Sequence, residues 1–118
     1  MPIVSERAAG HELATRLLDR IKEVFGLSET ELSALFGVSR PAVAKWRSAG
    51  IPMERIADVD RVTELAEYFH RKFIPLRIPQ IVREPGYEDD RRSFLEIIRE
   101  EGVLPVYADL AETFSYLP

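Results

Sequence analysis

The stretch LFGVSRPAVAKWRSAG, Leu35 to Gly50, sets apolar residues at helical spacing, interrupts them at Gly37, and places Arg40, Lys45 and Arg47 around a second short run. Gly37 supplies the left-handed backbone that a tight helix-to-helix turn needs, and Ser39 offers the next helix an N-cap with Pro41 tolerated in its first turn. Counted from Glu29, the pattern is that of a helix-turn-helix: Ser33 is small at the crossing, Val38 plugs the core, and Val43 and Trp46 anchor the second helix. At about 100° per residue, turning Val43 and Trp46 inward turns Pro41, Ala44, Lys45 and Ser48 outward, with Arg40 and Arg47 on the flanks.

The outward face is small in volume and positively charged, which suits the major groove of DNA. Arg40 or Lys45 can donate to guanine O6 and N7, Ala44 and the Pro41 ring can meet a thymine methyl, and Ser39 or Ser48 can hold a phosphate or base edge. Arg47, Arg55 and Arg61 are expected to face phosphates. The plainer alternative for residues 29–48 is two packed helices with a solvated basic face, but that alternative requires neither the glycine and small residue at fixed offsets nor an acid-free second helix.

Upstream, Leu13, Leu17, Ile21, Val24 and Phe25 follow the spacing of an amphipathic helix from Ala8 to Phe25, ended by Gly26. Ser28 to Glu31, SETE, is a capping box that starts the second helix. The third runs to about Ser48. Pro52 opens a longer fourth pattern through Ile56, Val59, Val62, Leu65, Ala66, Phe69 and Phe73, which Asp58 or Asp60 could split. Pro75, Pro79, Pro85 and Gly86 then read as a connector with at most a short turn, because each proline pushes its predecessor out of the helical region. Phe94, Leu95, Ile97 and Ile98 form a fifth helix ending at Gly102, and Pro105 opens a sixth with Val106, Tyr107, Leu110, Ala111 and Phe114. The expected fold is all-α: a helix-turn-helix bundle of about four helices in residues 1–73, then a Pro-rich connector and a small two-helix C-terminal subdomain in 74–118.

The chain has 118 residues, no cysteine and a net charge of −4. Lack of cysteine excludes disulfides, thiolate metal sites and a cysteine nucleophile. No signal peptide or apolar run of membrane length is apparent, so a cytoplasmic protein without membrane contact is expected. The charge is unevenly placed: residues 39–83 hold nine Lys/Arg against five acids, whereas residues 84–118 hold three Arg against nine acids. Such an acidic end is poorly suited to touch DNA, and self-association or docking of another protein are its natural uses.

The segment LSETELSALFGVSRPAVAKWRSAG resembles the DNA-binding core of the Xre-type (lambda repressor and Cro-like) helix-turn-helix family, over about residues 9–72. The resemblance implies a recognition helix from Ser39 to Ser48, with Ser39, Arg40, Pro41, Ala44, Lys45 and Ser48 reading DNA. Thr30 and Arg40 replace the glutamines often found early in these helices, so glutamine contacts are not carried over. The helix Arg92-Ser93-Phe94-Leu95-Glu96-Ile97-Ile98, followed by Gly102-Val103 and a terminal helix through Leu110, is similar to the C-terminal domain of Xre/MbcA/ParS-type antitoxins. That similarity implies a toxin partner, some of these antitoxins being paired with RES-domain toxins, with the tail residues Phe114, Tyr116, Leu117 and Pro118 as candidate plug; the plainer reading packs this tail onto the fifth helix.

Catalytic chemistry is not expected. HELAT begins at His11 like a zinc-protease motif but has Thr15 where the second histidine must stand, and His11 and His70 read as surface histidines. Glu88 to Asp90 lack the alternating ligands and glycine of a calcium loop and read as solvated charge or an N-cap for the helix near Ser93. No cofactor or metal is implied. The function expected is an antitoxin acting as a homodimer, binding a double-stranded operator to repress its own operon. The alternatives are a stand-alone dimeric repressor and, given the net acidity, an interaction module without DNA binding.

Overall fold

The structure is a computed structural model that describes residues 2–86 and 90–115, with side chains described from residue 10 onward. The described residues are all-helical: α1 (Pro2–Phe25), α2 (Glu29–Leu35), α3 (Arg40–Ala49), α4 (Met53–Lys72), a 3-10 turn (Pro75–Arg77), α5 (Ile78–Arg83), α6 (Phe94–Glu101) and α7 (Leu104–Ser115). No helix among them is long and apolar enough to cross a membrane.

Helix α1 lies at the centre, against α3, α4 and α5. Its buried stripe is Ala14, Leu18, Ile21, Val24 and Phe25, while Leu13 is 49% exposed and Leu17 only partly covered. The expected face is therefore rotated by one residue. Two overlapping stripes, one through Leu13 and Leu17 and one through Ala14 and Leu18, share Ile21, Val24 and Phe25, so periodicity alone is degenerate between them. The helix also starts earlier than expected, at Pro2.

Gly26 ends α1 with φ +66°, and Leu27 N–H donates back to Lys22 O at 2.9 Å, closing the terminal turn in a Schellman arrangement. A Cβ at Gly26 would lie 2.7 Å from Cγ of Pro79, so the turn is closed down on α5. The capping box at α2 is formed: Glu31 N–H donates to Ser28 Oγ at 3.1 Å and Ser28 N–H to Glu31 Oε1 at 3.0 Å. Helix α4 runs unbroken past Asp58 and Asp60 and buries Val59, Val62, Leu65, Ala66 and Phe69, whereas Ile56, expected on this face, is 44% exposed.

The region between Ile74 and Gly86 is not a linker. Pro79 occupies the first turn of α5, where its missing N–H has no helical partner to lose. Ile78 and Val82 are fully buried beneath α1 and α6. Arg83 clamps this helix down: its guanidinium donates to Phe25 O (3.2 Å), Gly26 O (2.6 Å) and Pro79 O (2.7 Å), and it pairs with Glu31 at 2.8 Å. Those carbonyls include the otherwise unpaired C-terminal oxygens of α1.

Ser93, not the preceding acids, caps α6, in a second capping box with Glu96. Asp90 instead pairs with Arg92 at 2.8 Å, and the Arg92 hydrogen bonds hold its carboxyl down at about 2; Glu88 and Asp89 lie outside the described residues. Edge-on aromatic contacts join Phe69 to Phe25 and Phe94, and Tyr68 to Tyr107. One apolar cluster thus runs from Leu18 through Trp46 and Phe69 to Ile97, Val106 and Leu110. The division expected at residues 73 and 74 is one of sequence and charge; the core is continuous across it.

Gly26→Ala should lower stability by about 2 kcal/mol or more, since it adds left-handed strain to the contact with Pro79. Urea unfolding of the variant, compared with Gly10→Ala where the added Cβ meets nothing within 4 Å, checks this.

Candidate nucleic-acid interface

Helix α3 is capped at its start by Ser39, whose Oγ accepts from Ala42 N–H at 3.2 Å, and at its end by Gly50 with φ +97°. Val43 (1% exposed) and Trp46 (5%) point inward, and the Trp46 ring meets Phe36 edge-on at 5.9 Å between centroids. Buried Ser33 stands at the crossing with α2 and bonds Thr30 O through its hydroxyl at 2.8 Å, which satisfies the only polar atom its side chain brings there.

With those anchors set, Arg40, Pro41, Ala44, Lys45 and Ser48 are all exposed. They occupy one continuous side of α3, bounded by half-buried Ala42 and Arg47. Arg40 and Lys45 have no carboxylate within ion-pair distance among the described residues. Ser39, used as an acceptor by the cap, keeps its O–H to donate. The Ser48 O–H is directed to Lys45 O at 3.2 Å, which leaves its lone pairs as the outward chemistry.

Arg47 departs from the expected set. Its Nε and one terminal nitrogen fork onto Glu29 at 3.1 and 3.0 Å, and the other terminal nitrogen reaches Asp19 at 2.6 Å. Burial opposes the Arg47 charge, but the hydrogen bonds to Glu29 and Asp19 outweigh it and raise its pKa. The Arg47 hydrogen bond, joined by one from Lys22, lowers the pKa of Glu29. Committed to two carboxylates in this structure, Arg47 is a strut between α1, α2 and α3. Residue 47 lies one position beyond the inward Trp46, at the border of the buried side, and the sequence does not say which way a long side chain at that border turns.

The backbone of Arg47 is held as well. Its carbonyl lies 2.8 Å from His11 Nδ1 and accepts the Thr15 hydroxyl at 3.3 Å. A carbonyl can only accept, so this contact places a proton on Nδ1. His11 is therefore half-buried and structural, not the surface histidine expected, and with Thr15 it satisfies a C-terminal carbonyl of α3. The spacing i, i+4 of His11 and Thr15 is the one signal that could have placed them together.

Of the other cations expected at phosphates, Arg55 is half-buried and donates to Phe36 O at 3.1 Å, and exposed Arg61 stands 3.8 Å from Asp58. At the far end, Phe114 is half-buried, with its ring 5.6 Å from Phe73 and 6.5 Å from Tyr68. It packs on the aromatic end of α4; Tyr116, Leu117 and Pro118, the rest of the candidate plug, lie outside the described residues.

Arg47→Met should cost about 1–2 kcal/mol. The depressed Glu29 pKa means that its share of stability is fully present above about pH 4.3, the ordinary glutamate value, and is lost as pH falls through the lower folded value. Urea midpoints taken between pH 6 and 3 should therefore fall less steeply for Arg47→Met than for the wild-type chain.

Comparison of the chain with protein-family models, with curated proteins and with solved structures finds no match to any of them.

Proposed function

We propose that this chain is a sequence-specific double-stranded DNA-binding protein that represses transcription as a homodimer. Its context is that of an antitoxin, which silences its own operon and neutralises a toxin through its acidic C-terminal half. The observation that supports DNA reading is the side of α3 that carries Arg40, Pro41, Ala44, Lys45 and Ser48: exposed, cationic, and held in a fixed roll by Val43, Trp46 and Arg47. In the major groove Arg40 and Lys45 supply the donors for guanine, and Ala44 with Pro41 the apolar contact for a thymine methyl. One such helix spans only a short half-site, so two copies on a two-fold operator are required for useful affinity.

The antitoxin part rests on the resemblance of the C-terminal half. A groove of about 670 Å³ there has an apolar floor that includes Phe94 and Leu110, with Glu84, Asp109 and Glu112 among the acids at its edge. That lining suits a partner with a basic, partly apolar segment. One observation favours the second reading, a stand-alone repressor: α5, α6 and α7 share the core of the DNA-reading half, and a region needed for folding requires no partner to explain it.

Selection of genomic fragments on the purified chain followed by footprinting is the direct test. Arg40→Ala/Lys45→Ala should keep the wild-type urea midpoint and lose the preference for the selected site by about 100-fold, two base contacts of about 1–3 kcal/mol each. An unchanged footprint in the double variant rules out α3 as the reading helix. Co-purification of a toxin from the native source separates the antitoxin reading from the stand-alone one.

A further inference from the structure

The acidic C-terminal half was expected to stay off DNA, yet it places one cation beside two from the helix-turn-helix half. A groove of about 650 Å³ is lined by Phe36 at the end of α2, by Arg55, Asp58 and Arg61 on α4, and by Arg99, Glu101 and Leu104 across the α6–α7 turn. Phe36 immediately precedes the Gly37 turn that leads into α3, so the groove adjoins the N-terminal end of the candidate reading helix.

The charges around this groove are unequally committed. Glu101 is paired with Arg92, and Asp58 faces Arg61 only at 3.8 Å with both side chains more than half exposed. Arg55 spends one nitrogen on Phe36 O. Exposed Arg99 has no carboxylate within ion-pair distance among the described residues. Three guanidinium groups therefore line one groove with two carboxylates, Glu101 already paired with Arg92 and Asp58 only weakly held. Phosphate oxygens are the acceptors that such forks match best, and a row of them passes beside any helix seated in the major groove.

We propose that Arg99, together with Arg61, contacts the DNA backbone, so that the acidic half of the chain takes part in the DNA interface through this one edge. This rests on the DNA-binding reading above. The contact carries no sequence information; it adds affinity and fixes the orientation of the protein on the duplex.

The test is fluorescence anisotropy of the full chain on its selected site and on a scrambled duplex, across a salt series. Arg99→Ala should weaken binding to both duplexes equally, by roughly tenfold near 0.1 M salt, and reduce the slope of log K against log salt by about one; Arg61→Ala/Arg99→Ala should reduce it by about two. Arg99→Glu should weaken both further. Both positions are exposed, and an unchanged urea midpoint confirms that folding is not the cause. If Arg99→Ala and Arg99→Glu keep the wild-type slope and affinity while Arg40→Ala/Lys45→Ala loses the site, this inference fails and the DNA reading stands. If the wild-type chain binds neither duplex at low salt, both fail.

Discussion

The burial of Trp46 against Phe36, with Val43 beside it, sets the roll of α3 about its own axis, and most of what is distinctive in this molecule follows from that roll. A ten-residue helix with two apolar anchors three positions apart has one way to seat them. Once seated, the small and cationic residues can only face outward. Arg47 enforces the same roll by a different force, forking onto Glu29 and Asp19 while its carbonyl is tied to His11 and Thr15. Packing and ion pairing agree about one orientation, which leaves the exposed cationic side of α3 little freedom to rotate. Preorganisation of this kind lowers the ordering cost of binding.

The ion pairs also change what the net charge means. A total of −4 argues against an anionic partner only if the charges are interchangeable, and here they are not. Glu29, Asp19 and Glu31 lie close to the helix-turn-helix, and each is matched by Arg47, Lys22 or Arg83. Arg40 and Lys45 are left without such partners among the described residues. The surface that the proposed DNA would meet is more positive than the chain as a whole, because the cations that neutralise acids and the cations that point outward are different residues.

The C-terminal half serves the same end from behind. Arg83 closes the end of α1 and fixes Glu31, whose carboxylate also caps α2, so α5 braces the element that precedes the turn. Helix α6 lies against α2, and Tyr107 and Phe114 of α7 cover the aromatic end of α4. A partner that displaced α6 or α7 would expose core residues shared with α1 to α4. Within the proposed antitoxin reading, that shared core is the physical route by which toxin binding and DNA binding would influence each other.

Local features were legible in the residues themselves. Ser28 with Glu31 set a helix start, Gly37 and Ser39 set a turn and a cap, and the spacing of Val43 and Trp46 divided α3 into an inner and an outer side, because each depends on backbone geometry within four or five residues. Long side chains at the margins were a different matter. Whether Arg47 reaches solvent or Glu29, whether Leu17 or Leu18 leads the buried stripe, and whether Pro79 interrupts a chain or begins a helix depend on which neighbour arrives from elsewhere in the sequence. The same holds for Arg83 and Arg99, whose positions in sequence gave no hint of Gly26 or Arg61. The sequence by itself determined α2, α3, α4, α6 and α7 and the inward face of α3; only tertiary packing decided that the Pro79 segment is a helix, which charges are used up inside the fold and which remain on its surface, since an ion pair needs two groups to meet and periodicity reports on only one.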